Sequence, residues 1–143
     1  GPTMNKYFVN FKTLLDNEHI RYEARTNSDS SIIAIQQSLS SSTTTLTIVI
    51  FFPADDNSNE ITIKIFGLAQ VQNVNYEILE KINQLNYDYR WYSIVLNPEE
   101  NSVILNCDFY VNEDSNAHIY EMTRKGLAIA EVIYPEIMKT IWS

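Results

Sequence analysis

Glycine is nearly missing from this chain of 143 residues: three occur, and one of them, Gly1, belongs to the leading Gly1-Pro2-Thr3 triplet. Gly67 and Gly126 stand far apart in the chain, so no glycine-rich loop can cradle a phosphate through consecutive backbone amides. Cysteine is rarer still. Cys107 alone cannot close an internal disulfide, and no Asn-x-Ser/Thr acceptor occurs, which suits a reducing compartment. The only histidines, His19 and His118, have no Cys or His at ligand spacing, so a zinc site is not expected; no metal and no cofactor is anticipated. Basic residues are also short. Ten Lys and Arg stand against eighteen Asp and Glu, a net charge of −8, and no basic cluster exceeds the pair Arg124 and Lys125. Such a field repels phosphate backbones, which argues against nucleic acid as a ligand.

Long apolar runs are absent as well, so no membrane span is expected, and the segment "NKYFVNFKTLL" after Met4 lacks signal-peptide character. The expectation is a soluble, cytoplasmic protein. Gly1 to Thr3 read as an expression-tag scar, with Met4 as the native start and a single domain over 4–143.

What the chain does have is hydrophobic periodicity. Tyr7, Phe8, Phe11, Leu14 and Leu15 recur at spacings of three and four, which predicts an amphipathic helix from about Asn5 to Glu18. Three strand-like runs follow the loop "NSDSS": Ser31 to Leu39, Thr45 to Phe52 and Ile61 to Phe66. The middle run alternates with Leu46, Ile48, Ile50 and Phe52 on one side, and Pro53 ends it by withholding a backbone donor. A second helix is predicted from about Asn75 to Leu85, with Asn75 as N-cap and Asn86 as a left-handed C-cap. "RWYSIVL" and "SVILNCDFYV" flank "NPEEN" and form a hairpin. The last third, about Ser115 to Trp142, is helical again, with a break expected at Tyr134 before Pro135. The order α-β-β-β-α-β-β-α implies an α+β fold: five antiparallel strands with helices on one face.

Candidate chemistry is sparse. The paired acids Asp55 and Asp56, Glu99 and Glu100, and Glu113 and Asp114 all fall in predicted turns, where solvated carboxylates keep ordinary acidities. "DDNSNE" has too few oxygen ligands for calcium. Cys107 alternates with Leu105 and Phe109, as a buried and inert thiol would. No catalytic residue is assigned, and the expectation is a protein that is not an enzyme.

Aromatic residues are the counterweight. Tyr87, Tyr89, Trp91 and Tyr92 crowd the join between the second helix and the next strand. By alternation Trp91, Ser93 and Val95 share one strand face and Tyr92, Ile94 and Leu96 the other, so both faces carry apolar groups. Val49 and Phe51 likewise oppose the Ile48 and Ile50 side, and Phe66 and Tyr110 point outward. The second face must be covered by a helix of the same chain, by another subunit or by a ligand. Phe51, Phe66, Tyr87, Tyr89, Arg90, Tyr92 and Tyr110 are the candidate partner-binding residues, because aromatic rings and Arg supply large contact area and hydrogen bonds at low entropic cost.

The N-terminal "FKTLLDNEHIRYE", the strand "TIVIFF", the run from "LEKINQLN" into "RWYSIVLNPEENSVILNCDFYV" and the closing "IYPEIMKTIW" together resemble the YbjN family, whose fold is similar to that of type III secretion chaperones. YbjN proteins are described as regulators of sensory transduction. The chaperones are small, acidic and often dimeric, and they hold an extended segment of a partner. The resemblance therefore implies a non-enzymatic binding module, chaperone-like or adaptor-like, that forms a homodimer and grips a basic or apolar segment of a partner protein. The alternative is an acidic immunity, inhibitor or regulatory protein that masks a basic partner.

Overall fold

A computed structural model describes residues 4–143; the tag-scar reading of Gly1 to Thr3 lies outside the described residues. Helix α1 spans Lys6–Asn17, and α2 and α3 span Tyr76–Asp88 and Ser115–Ile141. The strands are β1 (Glu23–Thr26), β2 (Ser30–Ser38), β3 (Thr45–Pro53), β4 (Glu60–Gln70), β5 (Ser93–Leu96) and β6 (Ser102–Tyr110). They form one antiparallel sheet in the order β1-β2-β3-β4-β6-β5.

The sheet has six strands, not five. The additional one, β1, pairs with β2 from Glu23 opposite Ala34 to Thr26 opposite Ser31. All four of its residues are exposed, so it has no hydrophobic period; the free edge of β2 determines it. Being short and charged at Glu23 and Arg25, it blunts that edge against further pairing.

One row of pairs shows how the core is built. Ile33, Ile50, Ile63 and Cys107 stand side by side across β2, β3, β4 and β6, and so do Ile35, Ile48, Ile65, Leu105 and Ile94 one step along. Phe8, Phe11 and Leu15 of α1, Ile78, Ile82 and Leu85 of α2, and Ile119, Met122, Ala130, Ile133 and Ile137 of α3 join these rows in one buried core. All three helices therefore lie on the same face of the sheet.

Entry to the first two helices is fixed by asparagines. Asn5 is fully buried: its Oδ1 accepts from the backbone N–H groups of Tyr7 and Phe8 while its Nδ2 donates to the carbonyls of Asp55 and Ser58. One side chain thus caps α1 and ties it to the β3–β4 loop. Asn75 caps α2 by accepting from Ile78 N–H at 3.0 Å.

Two expectations about helix ends are corrected. α2 continues to Asp88 because Asn86, rather than ending the helix in left-handed geometry, turns its amide toward β5. α3 runs unbroken through Pro135. An interior proline costs about 3 kcal/mol, but Ile133 and Ile137 on either side of it are fully buried, and each such burial contributes about 1.5–3 kcal/mol. The β2–β3 turn adds a clamp: Glu131 accepts from Ser40 N–H and Oγ–H at 2.7 and 2.9 Å, and Thr44 donates to Tyr134 Oη.

Gly67 sits at the irregular pairing between Ile65 and Ala69 of β4. Its φ is +92°, and a Cβ there would lie 2.8 Å from the carbonyl oxygen of Thr45, so only glycine fits this bend. Among the described residues no helix is long and apolar enough to cross a membrane.

Candidate protein-binding surface

The side of the sheet opposite the helices follows from the same registers. Arg25, Ile32, Phe51, Thr62 and Asp108 form one row across it. The next row holds Glu23, Ala34, Val49, Lys64, Asn106 and Ser93. Beyond them lie the pairs Gln36 with Thr47, Thr47 with Phe66, and Ile104 with Val95, and at the opposite end Glu60 pairs with Tyr110.

None of these side chains packs into the core shared by the helices. Seven are nevertheless apolar: Ile32, Ala34, Val49 and Phe51 form a block on β2 and β3, while Phe66, Ile104 and Val95 occupy the far corner. Val49 and Ile104 are each only 8% exposed although neither belongs to the core shared with the helices. Lys64 lies between the two groups with its Nζ 5.8 Å from the Phe51 ring centroid, so its methylene stem covers apolar surface while its charge stays in water.

Polar groups on this face are tied to one another. The Asp108 carboxylate accepts from Thr62 Oγ1–H on one oxygen and from Asn106 Nδ2 at 3.0 Å on the other. Tyr110 Oη donates to Glu60 Oε1 at 3.2 Å. Among the described residues Lys64 has no ion pair; the pairs formed are Arg25 with Glu23, Lys81 with Glu136 and Lys125 with Glu121.

The seven candidate residues from the sequence separate into three places. Phe51 and Phe66, both half-buried, and the exposed Tyr110 do share the helix-free face. Tyr87, 87% exposed, sits near the end of α2, with Tyr89 half-buried against the core rim and Arg90 exposed beside it. Tyr92 is a correction: it is 3% exposed, lies under α3 against Gly126, and donates its hydroxyl to the Met122 carbonyl at 2.8 Å, so it reaches no partner. Burial pushes its hydroxyl well above the usual tyrosine range. Covering of the helix-free face by α2, one of the alternatives open from the sequence, does not occur.

Face residues outside that candidate set are Ile32, Ala34, Val49, Ile104, Val95, Lys64 and Asp108, of which the sequence pattern had set only Val49 and Val95 on a second apolar strand face. Alternation offered a signal for Ile32, since it precedes Ile33 and Ile35 of the opposite face, but only the helix placement tells which side stays open.

Chemistry is as sparse in space as in sequence. Among the described residues no three His, Cys, Asp or Glu side chains converge. The paired acids lie in loops or at a helix cap. Cys107 is buried on the helical side, where desolvation first and the nearby Asp108 second raise its thiol to about 11. The cleft between α2 and the end of α3 is lined by Glu77, Glu80, Lys81, Gln84, Glu136 and Lys139, and neither Arg90 nor Arg124 reaches it.

No family model, no curated protein and no solved structure matches the chain.

Proposed function

We propose that this protein is a non-enzymatic protein-binding module whose contact surface is the helix-free face of its sheet. The observation that carries this reading is a six-stranded antiparallel sheet with all three helices on one side, while the other side bears Ile32, Ala34, Val49, Phe51, Phe66, Ile104 and Val95. Antiparallel sheets with one solvated face alternate apolar with polar residues; a block of apolar pairs on the outer face departs from that rule. Contiguous apolar surface rimmed by polar groups marks interaction sites. Glu60, Tyr110, Thr62, Asp108 and Asn106 provide such a rim, with hydrogen-bonding groups already oriented.

The resemblance of the hydrophobic pattern to the YbjN family, whose fold is similar to that of the secretion chaperones, agrees with this reading, since those chaperones hold segments of partner proteins. The test is site-specific photo-crosslinking in the cell of origin at native expression, with the reactive side chain placed in turn at Phe51, Phe66 and Tyr110, and at Gln84 on the helical side as control. The expected result is protein adducts from the three sheet positions and none from Gln84. Equal labelling at all four, or none at the sheet positions, removes the proposal.

A further inference from the structure

The partner on this face can be specified further, on the footing that the face is a protein-binding surface at all. We infer that it binds a second copy of the same chain, back to back, as a twofold-symmetric pair of sheets.

Three observations converge on a second copy. The first is charge. The strands of this face carry Arg25 and Lys64 against Glu23, Glu60 and Asp108, two cations and three anions, so this surface holds −1 of the chain's −8 and the remaining −7 lies elsewhere. The three helices also net −1 and the loops −6, so two copies of this acidic protein repel less across a face of the layer pair than across its loop ends.

The second is complementarity. Among the described residues Lys64 has no anionic partner, and the Asp108 carboxylate has hydrogen-bond donors but no cation. These two residues stand on neighbouring strands, one pairing step apart, since Lys64 pairs with Asn106 and Thr62 with Asp108. In a twofold interface residue i of one copy meets residue j of the other and the reverse contact follows by symmetry. A second copy thus supplies an anion for each Lys64 and a cation for each Asp108, around apolar blocks that match themselves.

The third is area. β2, β3, β4 and β6 have nine, nine, eleven and nine residues. At about 3.3 Å per residue and about 4.8 Å between strands, nine-residue stretches of these four alone span about 570 Å² per copy, or about 1,140 Å² for a pair. That lies just under the lower bound of stable specific interfaces, about 1,200 Å², and β5 and side-chain relief add to it. The two sheets would then pack as a sandwich, about 10 Å apart.

Charge exchange tests this. Sedimentation equilibrium is measured on the full chain, on Lys64→Glu, on Asp108→Lys and on an equimolar mixture of the two variants, with far- and near-ultraviolet circular dichroism confirming that each is folded. The wild type is expected to be dimeric, and each variant alone to dimerise roughly tenfold or more weakly because two attractions become two repulsions. The mixture is expected to recover dimer: the introduced glutamate of one copy then faces the introduced lysine of the other, and the symmetry-related contact keeps the native Lys64 and Asp108. A monomeric wild type at several hundred micromolar, variants as dimeric as the wild type, or a mixture no better than its components each overturns the inference. In the monomeric case, adducts to other proteins from Phe51 and Phe66 in the crosslinking experiment leave the binding module standing without self-association, whereas their absence removes both.

Discussion

Replacing Gly126 with alanine reverses the usual sign of a helix substitution. Glycine in a helix interior is about 1 kcal/mol worse than alanine, and Gly126 lies well inside α3, so propensity alone predicts stabilisation. Packing opposes it. A Cβ at this position would stand 2.5 Å from Tyr92 Cζ, 2.6 Å from Tyr92 Oη and 2.7 Å from Ile65 Cδ1. The isoleucine methyl can rotate away. The tyrosine ring cannot, because it is enclosed in the core and its hydroxyl is fixed on the Met122 carbonyl one turn earlier in the same helix. α3 must therefore lift from the sheet or the ring must leave its hydrogen bond.

Overpacking of this kind costs about 1–3 kcal/mol, and the displaced hydroxyl about 1 kcal/mol more. Against the propensity gain, Gly126→Ala should be destabilised by about 2 kcal/mol, which in urea at an m of about 2 kcal/mol/M lowers the midpoint by about 1 M with m unchanged. The double-mutant cycle with Tyr92→Leu isolates the cause. Tyr92→Leu alone loses stability, but on that background alanine at 126 should be neutral or stabilising by up to about 1 kcal/mol, a coupling in the range seen for residues in contact. Stabilisation of the single Gly126→Ala variant, or equal destabilisation in both backgrounds, would refute the reasoning.

Two other outcomes are expected. Asn86→Ala should lower stability by about 1–2 kcal/mol, since it removes the amide that accepts from Ile94 N–H at 2.8 Å and donates to Ile94 C=O at 2.9 Å; the freed edge of β5 should raise the aggregation rate measured by light scattering, and an unchanged rate would show that the edge is guarded otherwise. Cys107 predicts an alkaline loss of stability. Its native thiol is raised to about 11 from an ordinary value near 9, so the unfolded chain releases that proton first, and the contribution is intact below pH 9 and disappears as pH rises through about 9 to 11. Urea midpoints of Cys107→Ala should fall less steeply than wild type between pH 8.5 and 10, and parallel slopes would show that the thiol is not the group responsible.

How much of this was legible beforehand depended on whether local or distant atoms decide each feature. The core faces of β3 and β4 could be read from alternation because those strands are long and half-buried, and Asn75 could be read as a cap because capping is local. β1 could not, since four exposed residues have no period and their pairing is settled by β2. Pro135 misled because the local rule against interior proline is outweighed by Ile133 and Ile137, which bury themselves in a core built from strands far away in sequence. The open face was legible as two-sided apolarity, yet its boundary was not. Tyr92 and Phe51 looked equivalent in the sequence, and only the path of α3 over the sheet places one in the core and leaves the other on the helix-free side.

The crowded aromatic seam between α2 and β5 has a structural explanation in which each ring does something different. The chain must pass from helix to strand in four residues after Asp88 while Asn86 holds the backbone of Ile94 from behind. Tyr92 must point into the core to meet Met122, and Tyr89 turns its ring to the core rim. The reversal between them falls on Trp91, whose φ of +77° is rare for a bulky residue and costs about 1–3 kcal/mol. Glycine would meet that demand with less strain. The tryptophan instead lies 65% exposed with Lys125 Nζ 6.0 Å from its ring, a contact whose geometry contributes about 0.5–1 kcal/mol at an exposed site. That is too little to offset the backbone strain fully, so the position is held by the inward pull of Tyr89 and Tyr92 on either side rather than by anything Trp91 itself gains.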